Sequence, residues 1–200
     1  MLNKLTSVVC LGSALVVSAC GGPEAQDGDG FAQQGARLTT ATSQDCDYSV
    51  STVQTTTSPP QYDVVVTRTG GVNCTLPTGV SQTIQNVPLS APGPVSIVGS
   101  DLGLAVGFVM RNGFSGSAAY IFALRHVNPT TLATARNADI YCDYMTGNIS
   151  TGTVSIGAAG TAVSVFGTKT GKINGQSGNY YSASFANFFT STTAPTITVF

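Results

Sequence analysis

From about residue 43 onward, apolar and polar residues alternate with a period of two, the mark of strands that bury one face. In "GLAVGFVMRNGF", Leu104, Val106, Phe108 and Met110 share one parity, and Asn112-Gly113 follows as a hairpin turn signal. Tyr120, Phe122 and Leu124 resume the alternation in "SAAYIFALRH", so these two segments are predicted to pair. A second hairpin is predicted in "QYDVVVTRTGGVNCTL", with Tyr62, Val64 and Val66 before Thr69-Gly70-Gly71 and Val72, Cys74 and Leu76 after it. Further alternating or short apolar runs cover residues 48–53, 95–98, 140–145, 153–156, 162–166, 180–189 and 196–200. One segment reads differently: in "NPTTLATARN", 128–137, Asn128 is placed to cap a helical turn beginning at Pro129. About ten short strands punctuated by Gly, Pro and Asn predict an all-β chain, an antiparallel β-sandwich or jelly-roll-like domain over residues 43–200.

Composition supports this and narrows the function. Only 8% of residues are charged against 42% hydrophobic, and Glu24 is the single glutamate, so long Lys/Glu-rich helices are missing. A net charge of −1 provides no basic field to neutralise several phosphates, which argues against nucleic acid as a partner.

The first forty residues follow another rule. Lys4 precedes a thirteen-residue apolar core from Leu5 to Val17, the build of an export signal. Val17-Ser18-Ala19 then runs into Cys20, and this pattern resembles the lipobox of bacterial lipoprotein precursors. The resemblance covers about the first twenty residues. It implies cleavage after residue 19, diacylglycerol on the Cys20 thiol, and attachment to a membrane through that lipid. In lipoproteins of enteric bacteria an aspartate after the cysteine retains the product at the inner membrane; Gly21 is not aspartate, so the resemblance implies the outer membrane or cell surface. Cys10 would leave with the signal. Residues 20–42 hold only Phe31 and Leu38 as larger apolar groups and read as a disordered tether with an r.m.s. span of roughly 25 Å. "DGDG" at 27–30 lacks the spacing and closing Glu of an EF-hand loop and reads as part of that tether.

Three cysteines remain for the domain, Cys46, Cys74 and Cys142, and an oxidising compartment predicts one disulfide between two of them. Loop lengths do not choose among the three pairings, since a Cys74–Cys142 bridge at roughly 4 kcal/mol differs little from Cys46–Cys74. An immunoglobulin-type pair fails on its residues: the chain has no Trp, and Ile140 stands where a corner tyrosine belongs.

Little chemistry is declared. His126 is the only histidine, so a multi-histidine metal site is excluded and any histidine-based hydrolase must use it. No G-x-S-x-G elbow is present, and Ser115 in "GFSGS" has the wrong spacing. Asp139 and Asp143 would stand about 13 Å apart on one strand face, a poor fit to glycosidase carboxylates. No cofactor, metal or nucleotide motif is read. The aromatic segment "NYYSASFANFF", 179–189, is the candidate binding site: Tyr181, Phe185 and Phe189 share the core parity, leaving Tyr180 and Phe188 to meet a sugar or a protein. The reading is an exported, lipid-anchored, non-enzymatic surface protein that binds a glycan or a protein. A structural envelope lipoprotein acting through self-association and a hydrolase using His126 are the alternatives.

Overall fold

The structure, a computed structural model, describes residues 39–200. The signal peptide, Cys10, Cys20 and most of the tether lie outside the described residues. Strand β1, Thr40–Ser43, already belongs to the folded part, so the domain boundary sits before residue 43.

The described chain is all-β and antiparallel. Strands β1, β2 (Cys46–Thr57), β3 (Pro60–Gly70) and β4 (Ser81–Pro88) form an N-terminal sheet in sequence order. Strands β5 (Ser96–Ser100), β6 (Gly103–Arg111), β7 (Tyr120–Val127) and β8 (Thr134–Ile140) form a central sheet, again in order. Strands β9 (Thr153–Ile156), β10 (Val163–Thr168), β13 (Tyr180–Phe185) and β14 (Thr196–Val199) form a C-terminal sheet ordered β14-β13-β10-β9. Between β10 and β13, β11 (Lys172–Ile173) and β12 (Gln176–Ser177) form a separate two-stranded ribbon, with Ile173 buried in the core against the C-terminal sheet.

The inner strands of the central sheet, β6 and β7, are buried on both faces. Leu104, Val106, Phe108 and Met110 of β6 and Ile121, Ala123 and Val127 of β7 pack with Tyr48, Val50, Val64 and Val66 of the N-terminal sheet. On the opposite face, Ala105, Val109, Phe122 and Leu124 pack with Val154, Val163, Val165, Tyr181, Ala183 and Phe185 of the C-terminal sheet. The result is sandwich-like with two cores. Alternation along β6 therefore separates two apolar sets, because both parities meet a neighbouring sheet. At Gly107 the neighbour takes up the space: an added Cβ would lie 2.4 Å from Val154 Cγ2 and 2.5 Å from Phe122 Cζ.

Polar groups are buried where they tie loops to this stack. Arg68 lies in the first core with its guanidinium over the Tyr48 ring, 5.8 Å from the centroid. It donates to the backbone oxygens of Pro77, Pro129 and Thr130, and Tyr48 Oη donates to Pro129 as well. Arg125, also buried, pairs with Asp139 and donates to Gln85 Oε1 across the two sheets.

The β6–β7 pairing agrees with the predicted hairpin, running from Leu104↔Val127 to Arg111↔Tyr120, although the connection extends over residues 112–119. The other predicted hairpin is corrected. β3 pairs with β2 and β4, and residues 72–76 form no strand. Gly70 and Gly71, at φ 151° and 127°, take the chain out of the sheet, and Gly71 passes too close to the Asp45 carbonyl for any Cβ. The segment then returns Cys74 to Cys46, and these two form the disulfide, leaving Cys142 free and buried.

The helical turn predicted in 128–137 is a single turn, closed by Leu132 N–H on Asn128 O at 2.8 Å, within the connection from β7 to β8. Asn128 Oδ1 does accept from the N–H groups of Thr130 and Thr131, but Leu132 takes φ 59° as its side chain enters the core, and β8 follows. The predicted strand at 140–145 stops at Ile140 and gives way to a 3-10 turn, Asp143–Met145. The predicted strand at 180–189 stops at Phe185, where a turn begins.

Two outcomes check this fold. Removing the Cys46–Cys74 bridge, which closes a 28-residue separation around β2 and β3, is expected to lower denaturant-unfolding stability by roughly 3–4 kcal/mol. Gly107→Ala, which forces a methyl into Val154 and Phe122, is expected to cost about 1–3 kcal/mol in the same assay, whereas an ordinary strand glycine would gain from alanine.

Candidate functional site

The outer face of the C-terminal sheet is built by strict alternation. Val163, Val165 and Gly167 of β10 point inward, and Ser164, Phe166 and Thr168 point outward. In β13, Tyr181, Ala183 and Phe185 are buried while Tyr180 and Ser184 are exposed. Tyr180 and Phe200 exchange both backbone hydrogen bonds, at 2.9 and 3.1 Å, which aligns the chain end with the sheet.

Three aromatic rings meet on this face. Phe166 lies 6.2 Å from Tyr180 at an interplanar angle of 17° and 6.2 Å from Phe200 at 26°. Near-parallel rings at that spacing are offset, so their faces are incompletely covered by one another. All three are exposed, Tyr180 at 46%. Around them the strands present hydroxyls, including Ser164, Thr168, Ser184 and Thr198, and strands β9, β10, β13 and β14 contain no charged residue.

The same end of the molecule collects the other exposed aromatics. Phe114 sits at 80% exposure in the 112–119 connection, Tyr141 at 52% precedes the 3-10 turn, and Tyr144 at 95% lies within it. Hydrogen bonds join these segments: Asn112 Nδ2 to Met145 Sδ, Tyr120 N–H to Asn148 Oδ1, and the N–H groups of Asn174 and Gly175 to the Asp143 carboxylate. Lys169 N–H then donates to Asn179 O beside Tyr180.

Of the two candidate binding residues, Tyr180 is on this surface and Phe188 is not. Phe188 is fully buried, packed edge-on against Phe185 at 5.5 Å and Phe189 at 5.3 Å. The expectation extended strand parity past Phe185, but the turn over 186–190 rotates Phe188 into the core, where Arg136 lies over its ring and donates to its carbonyl at 3.1 Å. Phe166 and Phe200 take its place. Their outward parity was readable in the runs 162–166 and 196–200, but the register that brings them to Tyr180 was not.

The residues considered for catalysis are dispersed. His126 packs edge-on against Phe189 at 5.1 Å and near Phe188 at 6.0 Å, in a half-buried site. Asp139 is engaged by Arg125, and Asp143 spans the ribbon turn. Ser115 shares a hydrogen bond with Ser117 in the exposed connection. Cys142 donates its thiol to Thr170 O at 2.9 Å, and burial raises its pKa, so it is poorly nucleophilic. Among the described residues, no group of three or more His, Cys, Asp or Glu is placed to hold a metal ion.

Fold and surface together define a sandwich-like antiparallel β domain with an aromatic, hydroxyl-bearing face. Protein-family models, curated proteins and solved structures return no match to this chain.

Burial lowers the His126 pKa below 6.5, reinforced by the Arg136 charge and opposed by a backbone hydrogen bond to Leu102. The unfolded chain therefore takes up the proton first, so stability is fullest above about pH 6.5 and falls on acidification. Thermal melts from about pH 7 to about pH 5 should show this loss, and His126→Gln should remove that part of the pH dependence; an unchanged slope in the variant contradicts the assignment.

Proposed function

We propose that this chain is an exported, lipid-anchored, non-enzymatic surface protein whose aromatic end binds a glycan. The observation that carries the reading is the Phe166–Tyr180–Phe200 array on an uncharged hydroxyl face. Sugar rings have apolar C–H faces edged by hydroxyls. Exposed rings of low conformational freedom take the first, and Ser and Thr side chains exchange hydrogen bonds with the second. A protein partner would favour an Arg or Trp anchor, and strands β9, β10, β13 and β14 contain neither. The address rests on the lipobox-like Val17-Ser18-Ala19-Cys20, with lipid on Cys20 as the membrane attachment.

One feature favours a second reading, self-association. Val50 N–H donates to Thr39 O, and beyond it no described strand pairs with the outer edge of β2 over residues 51–57, an exposed and uncharged run. Such an edge can pair with another chain. Val53→Lys separates the readings: it should turn an oligomer into a monomer in sedimentation if the edge assembles, and leave both mass and glycan binding unchanged if it does not.

Phe166→Ala and Tyr180→Ala are each expected to weaken binding to immobilised neutral polysaccharide by about tenfold or more, about 1.4 kcal/mol, with little change in melting temperature because both side chains are outside the core. Unchanged binding in both variants contradicts the glycan reading. Fatty-acid labelling should be lost in Cys20→Ser; retained label contradicts the anchor.

A further inference from the structure

We propose that the cleft between Tyr141, Tyr144 and the Lys172–Gly175 turn is a second sugar subsite that seats a single neutral pyranose. It rests on the glycan reading above for the class of ligand, but uses none of the residues of the aromatic face. The cleft is a shallow, open depression of about 570 Å³ lined by Tyr141, Asp143, Tyr144, Thr146, Lys172 and Gly175.

Asp143 is the fixed element. Its Oδ1 accepts from Asn174 N–H at 2.8 Å and its Oδ2 from Gly175 N–H at 2.7 Å, so the carboxylate cannot rotate freely. A carboxylate offers about four acceptor sites, and one remains on each oxygen, the pattern that two adjacent sugar hydroxyls complement. Lys172 adds a donor of opposite charge. Together they leave the cleft with no net charge: Asp143 disfavours an acidic ligand and Lys172 a basic one.

The backbone presents the rings. Tyr144 at φ 53° and Met145 at φ 54° are consecutive non-glycine residues in the left-handed region. Tyr144 recovers none of that cost by burial, since its side chain is 95% exposed. The turn is nevertheless held, by Met145 N–H on Cys142 O, Thr146 N–H on Asp143 O, and the Cys142 thiol on Thr170 O. A glycine at 144 would relieve the backbone, and the tyrosine there instead projects a ring at the mouth of the cleft.

The test is an amide-resolved NMR titration of the full chain with cellotetraose, maltotetraose and mannotetraose, and with tetragalacturonate as an acidic counterpart. At least one neutral tetraose is expected to shift the amides of Tyr144 and Gly175 separately from those of Phe166 and Tyr180. Tyr144→Ala and Asp143→Asn should weaken the cleft response about tenfold or more and leave the response at the aromatic face intact. Tyr144→Gly should melt higher by about 2–4 °C and still lose the cleft response, which separates ligand contact from folding. Shifts confined to the aromatic face overturn the subsite and leave the glycan reading standing. Shifts confined to the cleft leave the subsite standing and overturn the Phe166–Tyr180–Phe200 face as a sugar site. Shifts at neither location overturn both, and a stronger cleft response to tetragalacturonate overturns the neutral ligand class.

Discussion

Burial of the central strands β6 and β7 on both faces is the constraint on which the other features depend. A two-sheet sandwich leaves each strand a wet face, but β6 is buried from Gly103 to Met110 and must satisfy packing in two directions. Large side chains, Leu104, Phe108 and Met110, face the N-terminal sheet, while Ala105, Gly107 and Val109 face the C-terminal sheet, and the space over Gly107 is filled by Val154 of that sheet and by Phe122 of the neighbouring β7. That division allows a chain of modest charge and no tryptophan to hold three layers together. Buried Arg68 and Arg125 each tie one layer or loop to another, the Nη groups of Arg68 donating to backbone carbonyls and Arg125 donating to Gln85 and pairing with Asp139, while Arg68 Nε is left without a partner.

The outer layers carry what the central one cannot. Because the C-terminal sheet commits one face to the second core, its opposite face is free of structural demand, and there the sequence places hydroxyls and three aromatic rings rather than the Lys and Glu common on solvent-facing strands. Loops leaving the same end, at 112–119, 141–150 and 169–179, are cross-linked by side-chain to backbone hydrogen bonds. Rings presented on bonded turns and strands lose little freedom when a ligand arrives, which is the condition for useful affinity from a shallow surface.

Much of this was legible in the chain and some of it was not. Alternation identified β6, β7, β9, β10 and β14 because each shows a clean parity of apolar residues. β4 was missed because "SQTIQNVP" offers only Ile84, Val87 and Pro88 to the interior. Residues 72–76 alternate as a strand would, but the disulfide to Cys46 decides their path, and a pairing among three cysteines is a long-range fact that local pattern does not hold. Phe188 shows the same limit. Parity predicts its face only while the strand continues, and the turn after Phe185 ended it. Tyr141 and Tyr144 fall in the run 140–145 that pattern reads as a strand, whereas their place is set by a left-handed turn and by the Asp143 contacts to a ribbon about thirty residues away.

Residue-resolved native-state hydrogen exchange tests the three-layer account most directly. If the central sheet is the common support of both cores, amides of β6 and β7 are the last to exchange, through global unfolding, while the outer part of β2 and the β11–β12 ribbon open at much lower free energy. Slowest exchange in β2–β3 or in β10–β13, with β6 and β7 opening first, would contradict it.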